Sequence, residues 1–484
     1  MAFTTRTKTT IAIMAMAGIL IMYVETMVTP ALPVLSKFFN ADYDSLSWII
    51  TSYLISGTIS AAIFGKLADI YGKKRIFVIL SLIYAIAVSF GGFAQNLTQF
   101  IAIRTIQGLG MGMLPVAFSL LNDELPKEEL PLAQGIISAT FTIGASIGLV
   151  VGAWITQNFD WQWSYHSAVP VAIGLFIAAL ILLEESPYRK KEKIDFGGIS
   201  LISIFIVSII LVLSEGVYWG WTSPLILSLV FLGATALFLF IFYERTVDEP
   251  FININLLKQK NIMLPNLAGL FASGGMFYLF YSIPPILQDP PPAGFGKDIF
   301  TSGLVMVPAS LLGIVVAPIA ALVVRKYGPK VSVIIGTIIM LFAFLLLYFN
   351  RGSVTAITED AAFIGSGTSF VFVGIINTII VSAPRGDTGQ VTGMNTVFRN
   401  IGSSLSPAIA GAIETNFVQP AMVGFLPSNF LGLPFIPIFA DFPSPLAFGY
   451  IYTIGFMTML ISLIFTLLMD NVRISEKKEV KLNE

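Results

Sequence analysis

Fourteen stretches of the chain are apolar over about the 20 residues that a helix needs to cross the hydrocarbon core of a bilayer. They fall near residues 11–36, 46–65, 76–95, 98–121, 132–156, 168–183, 197–214, 224–243, 262–286, 300–324, 331–349, 361–383, 388–414 and 446–469. Such a chain reads as an all-α integral membrane protein with fourteen transmembrane helices. Its balance agrees, because 56% of its 484 residues are hydrophobic and 11% charged, whereas soluble domains carry about 25% charged residues. Lipid is the solvent that this composition requires.

Arg6 and Lys8 precede the first run, as in a secretory leader, but the run extends for about 25 residues. A leader's apolar segment has about 7–15, so the run reads as the first span. Cytoplasmic loops concentrate Lys and Arg. Placing the N-terminus in the cytoplasm puts Arg6, Lys8, Lys66, Lys73, Lys74, Arg75, Lys127, Arg189, Lys190, Lys191, Lys193 and Arg245 on that side. Lys258, Lys260, Arg325, Lys326, Lys330, Arg385, Arg473, Lys477, Lys478 and Lys481 join them, leaving Lys37, Lys297 and Arg351 outside. One missed helix would invert every later loop, so the sustained bias predicts an even number of spans. Both termini are expected in the cytoplasm of a cell or inner membrane.

The chain also repeats itself. GIISATFTIGASIGLVVGAWI from Gly135 aligns with GMNTVFRNIGSSLSPAIAGAI from Gly393, matching Gly144 to Gly402, Ser146 to Ser404 and Ile155 to Ile413. Tyr71-Gly72 echoes Tyr327-Gly328 at nearly the same offset. Repeats of this kind divide the chain into a six-helix bundle over 1–188, a linker and two-helix insert over 189–250, and a second six-helix bundle with its tail over 251–484. Residues 415–445 carry Pro420, Pro427, Pro434, Pro437, Pro443 and Pro445, too many for a straight helix. They are compatible with either a packed or an interfacial loop.

The net charge of −1 supplies no basic field for nucleic acid. With no cysteine and only His166 as histidine, disulfides, thiol catalysis and Cys- or His-rich metal sites are excluded; His166, beside Trp161, Trp163 and Tyr165, suits an aromatic belt. No catalytic set, metal site or cofactor motif stands out. Charges within spans are the sharper signal, because a buried charge needs a partner or a watery cavity. At 1.5 Å per residue, Glu25 lies about 21 Å from the start of the first span and Arg104 about 9 Å from the start of the fourth. Those depths coincide across a core about 30 Å thick. An ion pair or water-bridged network between them is therefore expected, with Glu25 as the titrating carboxylate. Arg399 is a second intramembrane cation without an evident carboxylate at its depth. Glu215 and Glu414 are expected to be solvated near outer helix ends.

Gly144, Gly148 and Gly152 recur every four residues as a smooth helix-packing stripe. Gly402, Pro407 and Gly411 form a comparable small-residue face, with Pro407 opposite Leu149 in the repeat. These faces suit packing or hinge motion. Tyr278 and Tyr281, with neighbouring Phe and Met residues, are candidates for an adaptable apolar pocket. In GKLADIYGKKR, residues 65–75, Gly65 and Gly72 allow a tight connection, and Asp69 can accept hydrogen bonds near a helix N-terminus.

That loop, RTIQGLGMG from Arg104, VETMVTPALP around Glu25, the glycine stripe, WQWSYH and EPFININLL together resemble the major facilitator superfamily. The resemblance is to its fourteen-helix drug:proton antiporter branch, of the QacA and EmrB type. It departs from that pattern at Leu149, where the signature has proline, and at Gln162, where arginine is usual. The resemblance implies two six-helix bundles plus a two-helix insert, a latch on the inward face involving Asp69 and Arg75, and proton-driven export of lipophilic, often cationic, molecules. Expected partners are a small-molecule substrate, protons and membrane lipid, with function as a monomer. No nucleotide-binding P-loop occurs, so no cofactor is expected and the proton gradient is the energy source. An uptake symporter of the same fold, a nontransporting receptor and a membrane enzyme are the rival readings.

Overall fold

The structure, a computed structural model, describes residues 4–41, 43–126, 129–189, 192–384, 387–427 and 435–472. Lys127, Lys190, Lys191, Arg385, Arg473, Lys477, Lys478, Lys481 and Pro434 lie outside the described residues. The first bundle comprises α1 (Thr5–Thr26), α2 (Tyr43–Tyr71), α3 (Lys73–Gly91), α4 (Leu97–Glu124), α5 (Leu130–Asn158) and α6 (Gln162–Leu182). The insert is α7 (Phe196–Trp219) and α8 (Pro224–Tyr243). The second bundle comprises α9 (Lys260–Gln288), α10 (Phe300–Tyr327), α11 (Pro329–Phe349), α12 (Val354–Ser382), α13 (Thr388–Asn416) and α14 (Pro445–Leu468).

Among the described residues, thirteen of these helices are long and apolar enough to cross a membrane. The fourteenth, α13, has 29 residues but is markedly polar. Its polar side chains are shielded from lipid and bonded across the molecule. Asn395 donates to Asn266 Oδ1 at 2.9 Å, Asn400 to Thr58 Oγ1 at 2.8 Å, and the Thr392 hydroxyl to the Pro115 carbonyl at 3.2 Å. Internal partners make a polar helix tolerable at membrane depth.

The two bundles meet along matching seams, the second helix of each against the fifth of the other. At the α2–α13 seam, a Cβ on Gly65 would overlap the Gly389 carbonyl, and one on Gly393 would approach the Ala61 carbonyl at 2.5 Å. At the α5–α10 seam, a Cβ on Gly135 would sit 3.3 Å from the Ala317 carbonyl. Gly65 is therefore a helix-contact glycine rather than part of the tight connection. Gly72 alone turns the chain between α2 and α3, at φ 110°, and Gly328 does so between α10 and α11 at φ 95°. The Tyr-Gly echo thus marks the same left-handed break in each half, a conformation that glycine adopts without a Cβ clash.

Within each bundle, the first helix packs on the fifth. A Cβ on Gly144, Gly148 or Gly152 would meet the carbonyls of Ile19 at 2.5 Å, Tyr23 at 2.6 Å and Met27 at 2.6 Å. The four-residue periods of α5 and α1 are in register, so the backbones touch. In the second bundle, Gly402 abuts the Leu270 carbonyl of α9, and the Ser406 hydroxyl donates to the Gly274 carbonyl at 2.6 Å. Gly411 departs from the expected stripe: nothing lies within 4 Å of where its Cβ would be. It lies beyond the stretch where α9 and α13 converge.

The insert stands beside the α2–α13 seam. Glu215 on α7 is fully buried and accepts from Thr51 on α2 at 2.9 Å, correcting its expected solvated position. Glu414 on α13 is half-buried. The proline-rich stretch is an antiparallel hairpin, β1 (Val418–Pro427) and β2 (Phe435–Pro443), with Val418 opposite Pro443 and a bulge between Met422 and Gly424. Its prolines exclude helix, and strand edges accommodate them. The hairpin joins α13 to α14 at one end of the molecule. At the other end, the Arg6–Glu184 and Lys260–Asp470 ion pairs gather the start of α1 and the end of α14.

The glycine contacts yield a graded prediction. Gly148→Leu forces α1 and α5 apart and lowers the apparent melting temperature of purified protein by several degrees, consistent with about 1–3 kcal/mol for overpacking. Gly411→Ala shifts it by less than about one degree. Thermal melting of both variants in the same detergent tests the contrast, and equal destabilisation would contradict this packing.

Candidate functional site

Where α1 crosses α5, the stripe engages Ile19, Tyr23 and Met27, which turns Met22, Glu25 and Thr26 toward the space between the bundles. That space is a cavity of about 320 Å³. Phe141 and Leu149 of α5, Phe277 and Tyr281 of α9, and Phe372 of α12 give it a largely apolar wall. Arg399, Asn400, Ser403 and Pro407 of α13 supply most of its other face. An apolar enclosure with a few converging polar groups is the ordinary form of a small-molecule site.

Tyr281 reaches this wall, whereas Tyr278 does not. Tyr278 is 1% exposed and packs in the core of the second bundle. Cavity-lining Phe277, Phe280, Tyr281 and Pro284 share one side of α9, and the roughly 100° step per residue carries Tyr278 off that face.

Arg104 sits at the level expected from its depth but is engaged differently. Its Nη1 donates to the Val24 carbonyl at 3.1 Å and to Gln107 Oε1 at 3.4 Å, while Nε donates to the Ile49 carbonyl at 3.2 Å. Its guanidinium carbon lies 4.3 Å from the centre of the Tyr53 ring. The fully buried side chain therefore clamps the backbones of α1 and α2 beside Glu25. The expected direct pair is corrected: among the described residues, no ion pair within 4.0 Å joins Arg104 to Glu25. Two backbone carbonyls and a glutamine oxygen occupy the guanidinium instead.

The cation sharing the cavity with Glu25 is Arg399. Its guanidinium carbon lies 4.2 Å from the centre of the Phe372 ring and 4.9 Å from that of Phe141. Both Arg104 and Arg399 are within electrostatic reach of Glu25. One Glu25 oxygen, Oε2, is buried without a hydrogen-bond partner, and so is Arg399 Nε. Depth along separate helices does not reveal this juxtaposition, because α1 and α13 meet only through bundle assembly. The alignment of α13 with α5, the α1 neighbour, was the available signal.

At the end holding the start of α1, a polar cluster closes the α2–α13 seam. Asp69 Oδ2 accepts the Gln390 backbone N–H at 3.2 Å, and its Oδ1 accepts the Ser119 hydroxyl at 3.2 Å. A carboxylate at the start of α13 also complements that helix's positive end. Lys73 is fully buried, lies 3.6 Å from Asp69 and pairs closely with Asp123 of α4. Asn122 donates to Thr388 Oγ1 at 3.0 Å, adding a second tie across the seam. Arg75 is exposed; its backbone N–H, and that of Lys74, are held by the Glu185 carboxylate at 3.3 and 3.1 Å. Lys73, rather than Arg75, is thus the cation inside this buried cluster. The step of about 200° between residues 73 and 75 on α3 places them on opposite faces. Asp123 and Glu185 escaped the sequence reading because their partners lie 50 and 111 residues away in the chain.

Comparison with known proteins gives the same architecture. Multidrug transporter protein MdtP of Bacillus subtilis is 29% identical over 392 residues, covering 79% of this chain and 72% of that relative. Probable multidrug resistance protein EmrY of Escherichia coli is 25% identical over 424 residues, covering 83% and 80%. Among solved structures, the human organic anion transporter MFSD10 superposes with a TM-score of 0.67 at 13% identity, covering 95% of this chain and 99% of that one. The proton:xylose symporter XylE, bound to 6-bromo-6-deoxy-D-glucose, gives 0.66 at 13% identity and covers 97% of each chain. These structural likenesses show the fold. The Major Facilitator Superfamily profile matches residues 14–407, and with two six-helix bundles around a shared cavity, the chain belongs to the major facilitator superfamily of transporters.

Proposed function

We propose that this transporter exports lipophilic small molecules, including cations, in exchange for protons by alternating access. The observation that carries the proposal is Glu25, a carboxylate with a buried, unpartnered oxygen in the cavity between two bundles whose seam is latched at one end. A carboxylate there can exchange a proton for a substrate cation, because both relieve the same uncompensated negative charge. Each elementary charge moving through 100 mV supplies about 2.3 kcal/mol. The multidrug names of MdtP and EmrY support the substrate class. The protein works as a monomer in the cell membrane with both termini cytoplasmic, so the latched end faces the cytoplasm and the hairpin faces outward.

Alternating access requires the latch to break and reform. Removing Lys73 leaves Asp69 and Asp123 buried without their cation, and breaking such a buried cluster costs about 3–5 kcal/mol. The closed state loses that stabilisation.

Reconstitution in vesicles with an imposed pH gradient tests the cycle. Cationic dye moving against the proton flow is expected, and co-directional movement would instead establish uptake. Glu25→Gln lowers gradient-driven transport at least ten-fold and weakens binding of the cationic dye; undiminished coupling would remove Glu25 from the mechanism. The absence of cysteine permits a second readout through Thr392→Cys at the latch. Lys73→Ala increases its labelling rate by a membrane-impermeant maleimide from the cytoplasmic side several-fold, whereas Arg75→Ala changes it by less than two-fold. Equal responses would refute the assignment of Lys73 to the latch.

A further inference from the structure

Among the described residues, three cations buried elsewhere in the bundles are held by groups of the protein. Arg104 is taken up by the Val24 and Ile49 carbonyls, Lys73 by Asp123 and Asp69, and Lys66 by Glu192. Two cavity charges are not. Among the described residues, Arg399 has neither a carboxylate within 4.0 Å nor a hydrogen-bond acceptor, and its close contacts are the faces of Phe141 and Phe372. Glu25 Oε2 is likewise buried without a hydrogen-bond partner, and among the described residues no ion pair within 4.0 Å involves Glu25. Opposite charges thus line one largely apolar cavity without being joined to each other.

An unpaired charge in an apolar enclosure is unfavourable, and aromatic faces compensate a guanidinium only in part. A simple cation relieves Glu25 alone and adds a like charge near Arg399. A molecule bearing both charges can relieve both groups, and the guanidinium's planar set of N–H donors suits a carboxylate or related anion. Asn400 and Ser403 follow Arg399 along the cavity wall, the Asn400 amide donating to Thr58 at 2.8 Å and the Ser403 hydroxyl to the Asn400 carbonyl at 3.0 Å.

We infer that Arg399 is an anion subsite and that the cavity is built for amphoteric substrates, apolar molecules carrying an ammonium toward Glu25 and an anionic group toward Arg399. This rests on the export reading only in taking the cavity as the substrate site. It narrows that reading from lipophilic cations to molecules whose anionic group is also recognised.

Nε-dansyl-lysine and its methyl ester test the inference. Both carry an apolar fluorophore and an ammonium, but only the acid carries a carboxylate. Fluorescence titration of purified full-length protein should show the acid binding at least ten-fold tighter than the ester. Arg399→Gln should weaken acid binding at least ten-fold and bring the two affinities within about two-fold. Arg399→Lys, which retains a cation, should preserve most of the preference and guards against a fold-wide effect. Equal wild-type affinities, absence of saturable acid binding, or a parallel loss of both probes in Arg399→Gln would overturn the subsite. Vesicle transport of a cationic dye judges export separately. Dye export without acid–ester discrimination keeps the export reading and rejects this one, whereas discrimination without movement does the reverse.

Discussion

A polar group shut away from water in a bilayer must find its partner within the protein. That constraint explains why α13, the helix with the weakest apolar signature, occupies the middle of the assembly rather than its lipid-facing rim. Asn395, Asn400 and Thr392 bond to α9, α2 and α4 respectively. The same requirement explains why Arg104 clamps α1 and α2 at 0% exposure. It also separates structural charges from those available for function. Arg104 is held by carbonyls, while Glu25 and Arg399 face the shared cavity.

Close backbone approach is the second requirement, because apolar burial supplies little net drive between helices already surrounded by lipid. The α5 glycines let that helix touch the Ile19, Tyr23 and Met27 carbonyls. This contact fixes the rotation of α1 and hence the aim of Glu25. The stripe therefore connects packing to chemistry. Gly402 and Ser406 repeat the arrangement against α9, so the helix carrying Arg399 is positioned by similar means.

The sequence made the fold more legible than the site. The apolar runs and the Tyr-Gly echo concern local composition or fixed offsets, and the architecture retains them as long helices, thirteen of them among the described residues apolar enough to cross a membrane, and as two matching glycine turns. The glycine period of α5 likewise identified a contact face. Partner choice was less legible because it depends on helix rotation and on contacts between bundles. Equal depth brought Arg104 to the level of Glu25 but could not show its guanidinium committed to Val24 and Ile49. Tyr278 and Tyr281 are near neighbours in sequence, yet only Tyr281 reaches the cavity. Arg75 matched the loop signature, but the direction of the side chains on α3 put Lys73 in the buried cluster with Asp69 and Asp123.

In the proposed cycle, latch and cavity share one helix, α13. Gln390 meets Asp69 at the start of α13, and Arg399 lines the cavity nine residues later, about 14 Å along the helix axis. On the facing bundle, Asp69 belongs to α2 and Glu25 to α1, with Arg104 tying those helices together. In the proposed cycle, the bundles cannot part at the latch without changing the relation of Arg399 to Glu25. Conversely, an occupant bridging those charges favours the arrangement of α1 and α13 that accommodates it. Linkage then requires its binding energy to act on the latch equilibrium, and only the difference in affinity between latched and open states can do so. The cluster around Lys73 sets the amount by which that difference must favour opening.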